Sequence, residues 1–133
     1  MSFEAELRRL LGMDDELSKL KLDILRVLAI FNGVSWMSEI IPDIMKIYGY
    51  SLDHPPREEL LAKALEDLEA KGLISIESRK RGMPLSREVY EDKLIKLKDL
   101  ESAKRVLSRD KIYREYLSWR MEAIWRAAKD LKR

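Results

Sequence analysis

The chain has no cysteine, no glutamine and no threonine, a single asparagine (Asn32) and a single histidine (His54). Without cysteine there is no disulfide framework, no thiol nucleophile and no cysteine-ligated zinc. One histidine excludes a multi-histidine metal site within one chain and nearly excludes a nucleophile–histidine pair. Neither G-x-G-x-x-G nor G-x-x-x-x-G-K-[ST] occurs, so no phosphate-cradling glycine loop is signalled. No spacing singles out a pair of carboxylates. The expectation is therefore a non-enzyme with no metal and no cofactor. No apolar run approaches the roughly 20 residues of a membrane helix. The opening MSFEAELRRL carries acids early, unlike a signal peptide. A cytoplasmic globular protein without membrane contact is expected.

What is present fits one compact domain. The chain has 133 residues, 46% of them hydrophobic, and no long Gly, Ser or Pro tract, which argues against a disordered tail. Lys and Arg number 26 against 24 Asp and Glu, a net of +2, so bulk charge does not by itself mark a polyanion binder. Charged residues nevertheless make up 38%. Abundant Glu, Lys and Arg beside so few amides match the composition of proteins from hot environments, where ion-pair desolvation costs less. A thermophilic source is expected.

The glycines at 12, 33, 49, 72 and 82 each fall where an apolar pattern ends, as helix-end and turn glycines do. Residues 2–11 read as a short helix with Phe3, Leu7, Leu10 and Leu11 on one side. Asp14 or Asp15 can cap a second helix carrying Leu17, Leu20, Ile24, Val27, Leu28 and Phe31 at helical spacing. Ser35 or Ser38 can cap a third, running to about Tyr48. Pro55-Pro56 favours a new helix start, and Arg57–Lys71 places Leu60, Leu61, Ala64, Leu65 and Leu68 on one face before Gly72. Leu73–Glu77 alternates in period two, which predicts a strand. Arg79-Lys80-Arg81-Gly82 reads as the turn and Met83-Pro84-Leu85 as a short return strand. A long helical region over about 88–131, capped by Ser86 and broken near Ser108-Arg109-Asp110, completes the chain.

Helices followed by a two-stranded hairpin and a long helix are the order of the winged helix-turn-helix fold. The run Leu65-x-x-Leu68-Glu69-x-x-Gly72-Leu73-Ile74 resembles that superfamily's passage from recognition helix to wing, over about residues 17–90. The C-terminal helix resembles the dimerisation helices of PadR-like and related archaeal regulators. The resemblance implies a mainly α fold with a small β-hairpin wing. It divides the chain into a short N-terminal helix at 1–13, a winged-helix domain at 14–87 and a helical dimerisation region at 88–133.

In a DNA-binding winged helix the recognition helix enters the major groove and the wing touches backbone or minor groove. Residues 55–72 hold three cations (Arg57, Lys63, Lys71) against five acids, a net of −2. Residues 73–98 hold seven cations against four acids, and residues 99–133 ten against six. Positive charge therefore lies in the wing and beyond it. Phosphate neutralisation supplies most non-specific affinity, so wing-led backbone binding through Arg79, Lys80, Arg81 and Arg87 is the expectation. Arg57, Lys63 and Ser51 are the candidates for reaching base edges. The bland alternative is a solvated turn whose cations keep a hairpin edge from pairing with neighbours.

Tyr113, Leu117, Met121, Ile124, Ala128 and Leu131 recur at spacings of four, four, three, four and three, close to a heptad seam. A second stripe of Ile112, Tyr116, Trp119 and Ala123, widened by Trp125, is too much apolar surface for one isolated helix. One face can pack on the domain while the other meets a second copy, so a homodimer is expected; the bland alternative folds the whole helix onto its own domain. His54 reads as a loop residue and Lys93, Lys96 and Lys98 as a solvated helix face. Two functions remain open: a dimeric regulator binding double-stranded DNA, favoured by the cationic wing, and a protein–protein interaction module, favoured by the acidic recognition helix.

Overall fold

A computed structural model describes residues 2–131. Helix α1 (Phe3–Leu11) opens the chain, and Ser2 caps it by accepting a hydrogen bond from the Ala5 amide. Helix α2 (Glu16–Ile30) is capped by Asp15, which accepts from the Ser18 amide. Nearly every residue of α2 from Leu20 onward is buried, the pattern of a helix enclosed on all sides. It is the axis of the domain. Leu7 and Leu10 of α1 pack on it, with Ile40 and Ile44 of α3 (Ile40–Ile47) and Leu61, Ala64, Leu65 and Leu68 of α4 (Glu58–Ala70). Truncating Leu68, which is 1% exposed, to alanine would cost about 2–5 kcal/mol.

Three antiparallel strands close the core in the order β1 (Val34–Trp36), β3 (Val89–Leu97), β2 (Ile74–Gly82). Asn32 and Gly33 both lie at positive φ. This reversal turns the chain out of α2 into β1, and the Gly33 carbonyl then accepts from the Leu97 amide. Ile74 and Ile95 face the core, while Ser75, Glu77, Arg79 and Arg81 lie on the opposite face, as strand alternation requires. Helix α5 (Leu100–Leu107) packs against α1 and α2, and helix α6 (Lys111–Leu131) follows after the expected break at Ser108–Asp110. The architecture is a winged helix, mainly α, with a small sheet and a long C-terminal helix.

The structure corrects the sequence reading at several places. Val34–Trp36 forms a strand followed by a 3-10 turn at Met37–Glu39, so α3 begins later than a Ser35 or Ser38 cap implied. Helix α4 begins at Glu58 with Arg57 as its cap, so neither Pro56 nor Arg57 is its first helical residue. Arg79, Lys80 and Arg81 belong to β2 itself, and Met83–Leu85 lies in the connecting loop. Residues 89–97 form the return strand where a helix was expected. Ser86 caps no helix; its hydroxyl accepts from the Glu88 amide within the loop. Lys93 and Lys96 lie on β3, and the winged-helix unit extends past residue 87. Val89, Glu91, Lys93, Ile95 and Leu97 alternate with Tyr90, Asp92, Leu94 and Lys96 on opposite faces, but their charges obscure a hydrophobic period of two. Lys132 and Arg133, counted in the positive C-terminal segment, lie outside the described residues.

Candidate nucleic-acid interface

Helix α4 stands where a winged helix carries its recognition helix. Its exposed side presents Glu58, Glu59, Ala62, Lys63, Glu66 and Glu69. Lys63 pairs with Asp67 at 3.0 Å, and Asp67 also takes Lys21 at 3.1 Å. Those contacts hold the Asp67 carboxyl below its ordinary range. Arg57 reaches Glu16 at 3.4 Å, an exposed and therefore weak pair. Ser51 lies away from this face; it lines a hollow with Tyr50, Tyr116 and Trp119 beside α6, and its hydroxyl donates to the Tyr48 carbonyl. Between α4, α3 and the sheet runs a groove of 470 Å³ lined by Met37, Ile41, Leu61, Leu65 and Ile76, with Glu58, Glu66 and Glu69 at its margin. The exposed face of α4 and the margin of this groove are acidic.

The wing is longer than the sequence suggested. β1 ends opposite Leu94, and the β2–β3 ribbon continues for the pairs Ser78↔Lys93, Arg79↔Asp92, Lys80↔Glu91, Arg81↔Tyr90 and Gly82↔Val89. At about 3.4 Å per residue this two-stranded ribbon is roughly 17 Å long, and the 3-10 turn packs along part of it through Ser38 and Glu39. The Met83 amide donates to the Glu88 carbonyl and closes the loop. Lys80 and Arg87 are exposed, and among the described residues no acid lies within ion-pair distance of either. Arg79 projects into solvent with its guanidinium on Glu77 at 2.7 Å.

Arg81 differs from its neighbours. Its guanidinium lies 4.3 Å above the Trp36 ring, 3.1 Å from Asp92 and 3.5 Å from Glu39. Asp92 also accepts from the Ser38 hydroxyl at 2.5 Å. Burial alone would raise the Asp92 pKa; the hydrogen bonds from Ser38, the Lys93 amide and Arg81 outweigh it and hold the carboxyl below its usual range. Arg81 is thus built into the flank of the wing, one pair short of its end, and ties the ribbon to β1 and the 3-10 turn. The cation triplet of the sequence divides into one structural and two outward-facing members.

The heptad seam divides as well. Tyr113 and Tyr116 belong to the core, Tyr116 meeting Phe31 edge-on at 6.3 Å between ring centroids, and Leu117 packs at the core margin. Arg120 still reaches the Ile30 carbonyl at 3.4 Å. Beyond it, Met121, Ile124, Trp125, Ala128 and Leu131 are all exposed, Trp125 by 69% and Leu131 by 88%. Trp119 is 60% exposed. The last eleven residues of α6 leave the domain carrying an uncovered apolar stripe.

No family model matches the chain, and no curated protein matches it. Among solved structures, it is similar to the circadian clock associated protein Pex from Anabaena. That similarity has 14% identity and a TM-score of 0.46, over 77% of this chain and 83% of that one. Pex from Synechococcus sp. (strain PCC 7942) is similar at 17% identity and the same TM-score of 0.46, over 88% of this chain and 98% of that one. Likeness so distant carries no function across.

Proposed function

We propose that the protein is a homodimeric winged-helix DNA-binding protein, a transcription regulator, that grips double-stranded DNA mainly through its wing. The observation that carries this reading is the ribbon itself: five residue pairs stand beyond the third strand, with Arg79, Lys80 and Arg87 on the projecting part. Separated cations on a projecting ribbon suit phosphate oxygens, whereas the Glu-rich side of α4 disfavours deep entry into the major groove. Backbone contact therefore supplies most of the affinity and α4 little base readout. The second copy is the partner that covers the apolar end of α6, and the homodimer presents two wings. No catalytic or cofactor role is assigned to any residue.

Fluorescence anisotropy of a labelled random duplex at about 50 and 200 mM salt tests the reading. Micromolar binding that weakens steeply with salt, and that is lost when Arg79, Lys80 and Arg87 are changed to Glu, is the expected result. No binding at the lower salt would overturn it. The acidic, apolar groove beside α4 favours a second reading, a module that docks a basic amphipathic segment of another protein. Binding of such a peptide, blocked by Glu66→Lys and Glu69→Lys, would mark that alternative.

A further inference from the structure

The wing tip carries apolar side chains where solvent-facing loops ordinarily carry polar ones. Leu85 is fully exposed, Val89 62% and Met83 44%, with Pro84 between Met83 and Leu85. Leu85 also holds a φ of +61°, a left-handed backbone that side-chain-bearing residues other than Asn and Asp seldom adopt. The Ser86 amide donates to the Met83 carbonyl at 3.3 Å and closes a turn with Pro84 second and Leu85 third, the position at which a type II turn takes a positive φ. Nothing in the fold accounts for an exposed leucine there in place of glycine or asparagine. Val89 closes the last pair of the ribbon with Gly82, and Met83 and Leu85 lie beyond it, away from the core.

We propose that the Met83–Pro84–Leu85 tip is an apolar wedge that enters the minor groove of DNA, pries open one base step and bends the duplex. The proposal rests on the DNA-binding reading above and adds to it what the tip does once the ribbon is seated. The tip loop stands beyond the Gly82↔Val89 pair, one pair past the Arg81 clamp, and the minor groove it would enter is only about 7.5 Å deep. Lys80 and Arg87 flank the tip and meet the phosphate rows that border the groove. Leu, Met and Pro are the residue types that partially unstack base steps in minor-groove architectural proteins. Each of the three has a part: Pro84 stiffens the loop, the left-handed turn at Leu85 presents that side chain outward, and Met83 supplies a flexible apolar flank. Arg81, clamped between Trp36 and Asp92 one pair below the loop, braces the end of the ribbon against the domain, so that force at the tip is transmitted to it.

Resonance energy transfer between dyes at the two ends of a duplex of about 30 base pairs tests the wedge, read beside anisotropy on the same DNA. Wild-type protein is expected to bind and to bring the ends closer. The double variant Met83→Ser, Leu85→Ser is expected to bind within a few-fold of wild type and leave the duplex straight. Leu85→Gly relieves the left-handed backbone and so preserves the loop; it should reduce the bend while melting no earlier. Binding by wild type without any approach of the ends overturns the wedge and leaves the DNA-binding reading standing. A bend that persists in both variants overturns it equally. Absence of wild-type binding at about 50 mM salt overturns the DNA-binding reading and the wedge together.

Discussion

Arg26 and Asp110, 84 positions apart in the chain, hold each other through two hydrogen bonds of 2.8 and 2.7 Å. Asp110 also caps α6 by accepting from the Tyr113 amide. Arg26 turns a third donor to Asp23 at 2.9 Å, and Asp23 accepts from the Tyr48 hydroxyl at 2.6 Å. Burial raises the Asp23 pKa despite those hydrogen bonds. It also raises that of Tyr48, whose proton stays in place to be donated. One buried guanidinium thus joins α2, α3 and the start of α6 and sets the direction in which the C-terminal helix leaves the domain.

Replacing Arg26 by Met is expected to destabilise the fold by about 3–5 kcal/mol, because two buried carboxylates lose their counter-charge. The sign of the pH effect follows. A buried carboxylate whose pKa is raised binds its proton more tightly in the folded than in the unfolded state, so stability falls as pH rises. The melting temperature of Arg26→Met should therefore climb as pH is lowered from 7 towards 5, relative to wild type. A gap between the two proteins that does not change with pH would sink the assignment.

Glu6 tests the opposite sign. It is 4% exposed and meets Arg9 and Lys71, and the hydrogen bond from Arg9 leads the contacts that lower its pKa to about 2. A depressed carboxylate contributes stability that is present above its unfolded pKa of about 4.3, and that contribution is lost as pH falls towards 2. Glu6→Gln should flatten the acid limb of the stability curve over that window. Urea titrations at intervals from pH 5 to pH 2 would measure it.

Arg79 and Arg81 are two residues apart yet make different predictions. Changing exposed Arg79 to Ala should alter stability by less than about 0.5 kcal/mol and reduce the dependence of log K on log salt by about 0.9 if it touches one phosphate. Arg81→Ala removes a donor from Asp92 and a cation from the Trp36 face. It should cost about 1–3 kcal/mol and speed amide exchange in the ribbon while leaving the salt dependence unchanged. Equal salt slopes for Arg79→Ala and wild type would remove Arg79 from the contact.

The helical frame was legible because each helix carries its own signals: Asp15 at a cap, Gly33 and Gly72 at exits, leucines at helical spacing on α4. The wing's length was not. β3 carries Glu91, Asp92, Lys93 and Lys96 among its nine residues, so local composition resembles a solvated helix; only pairing with β2 makes it a strand. The triplet Arg79–Arg81 was legible as a cationic wing but not as two different jobs. Trp36 and Asp92, which capture Arg81, come from distant segments. Alternation along β2 puts Arg79 and Arg81 on one face and does not distinguish their partners. The tip's exposed Leu85 carried no signal either, since a leucine between strands reads as part of one.

The apolar end of α6 gives the last prediction. Isolated helices shorter than about 12–15 residues are marginal in water, and the stretch from Met121 onward lacks tertiary cover in the monomer. Association of two such ends would bury Met121, Ile124, Trp125 and Leu131, which are respectively 62%, 57%, 69% and 88% exposed. Tyr113 and Leu117 stay with their own domain, so the original seam must be tested at its outer half. Ile124→Glu with Trp125→Glu should yield a monomer by light scattering. Because these side chains leave the core untouched, the winged-helix unit should retain its helical signal. Dimeric mass in that variant would remove α6 as the interface; a monomeric wild type across the micromolar range would remove the homodimer itself. DNA affinity gives an independent reading, since two linked wings bind with an effective concentration that one wing lacks. The monomeric variant should therefore bind DNA at least about tenfold more weakly while each wing keeps its own salt response.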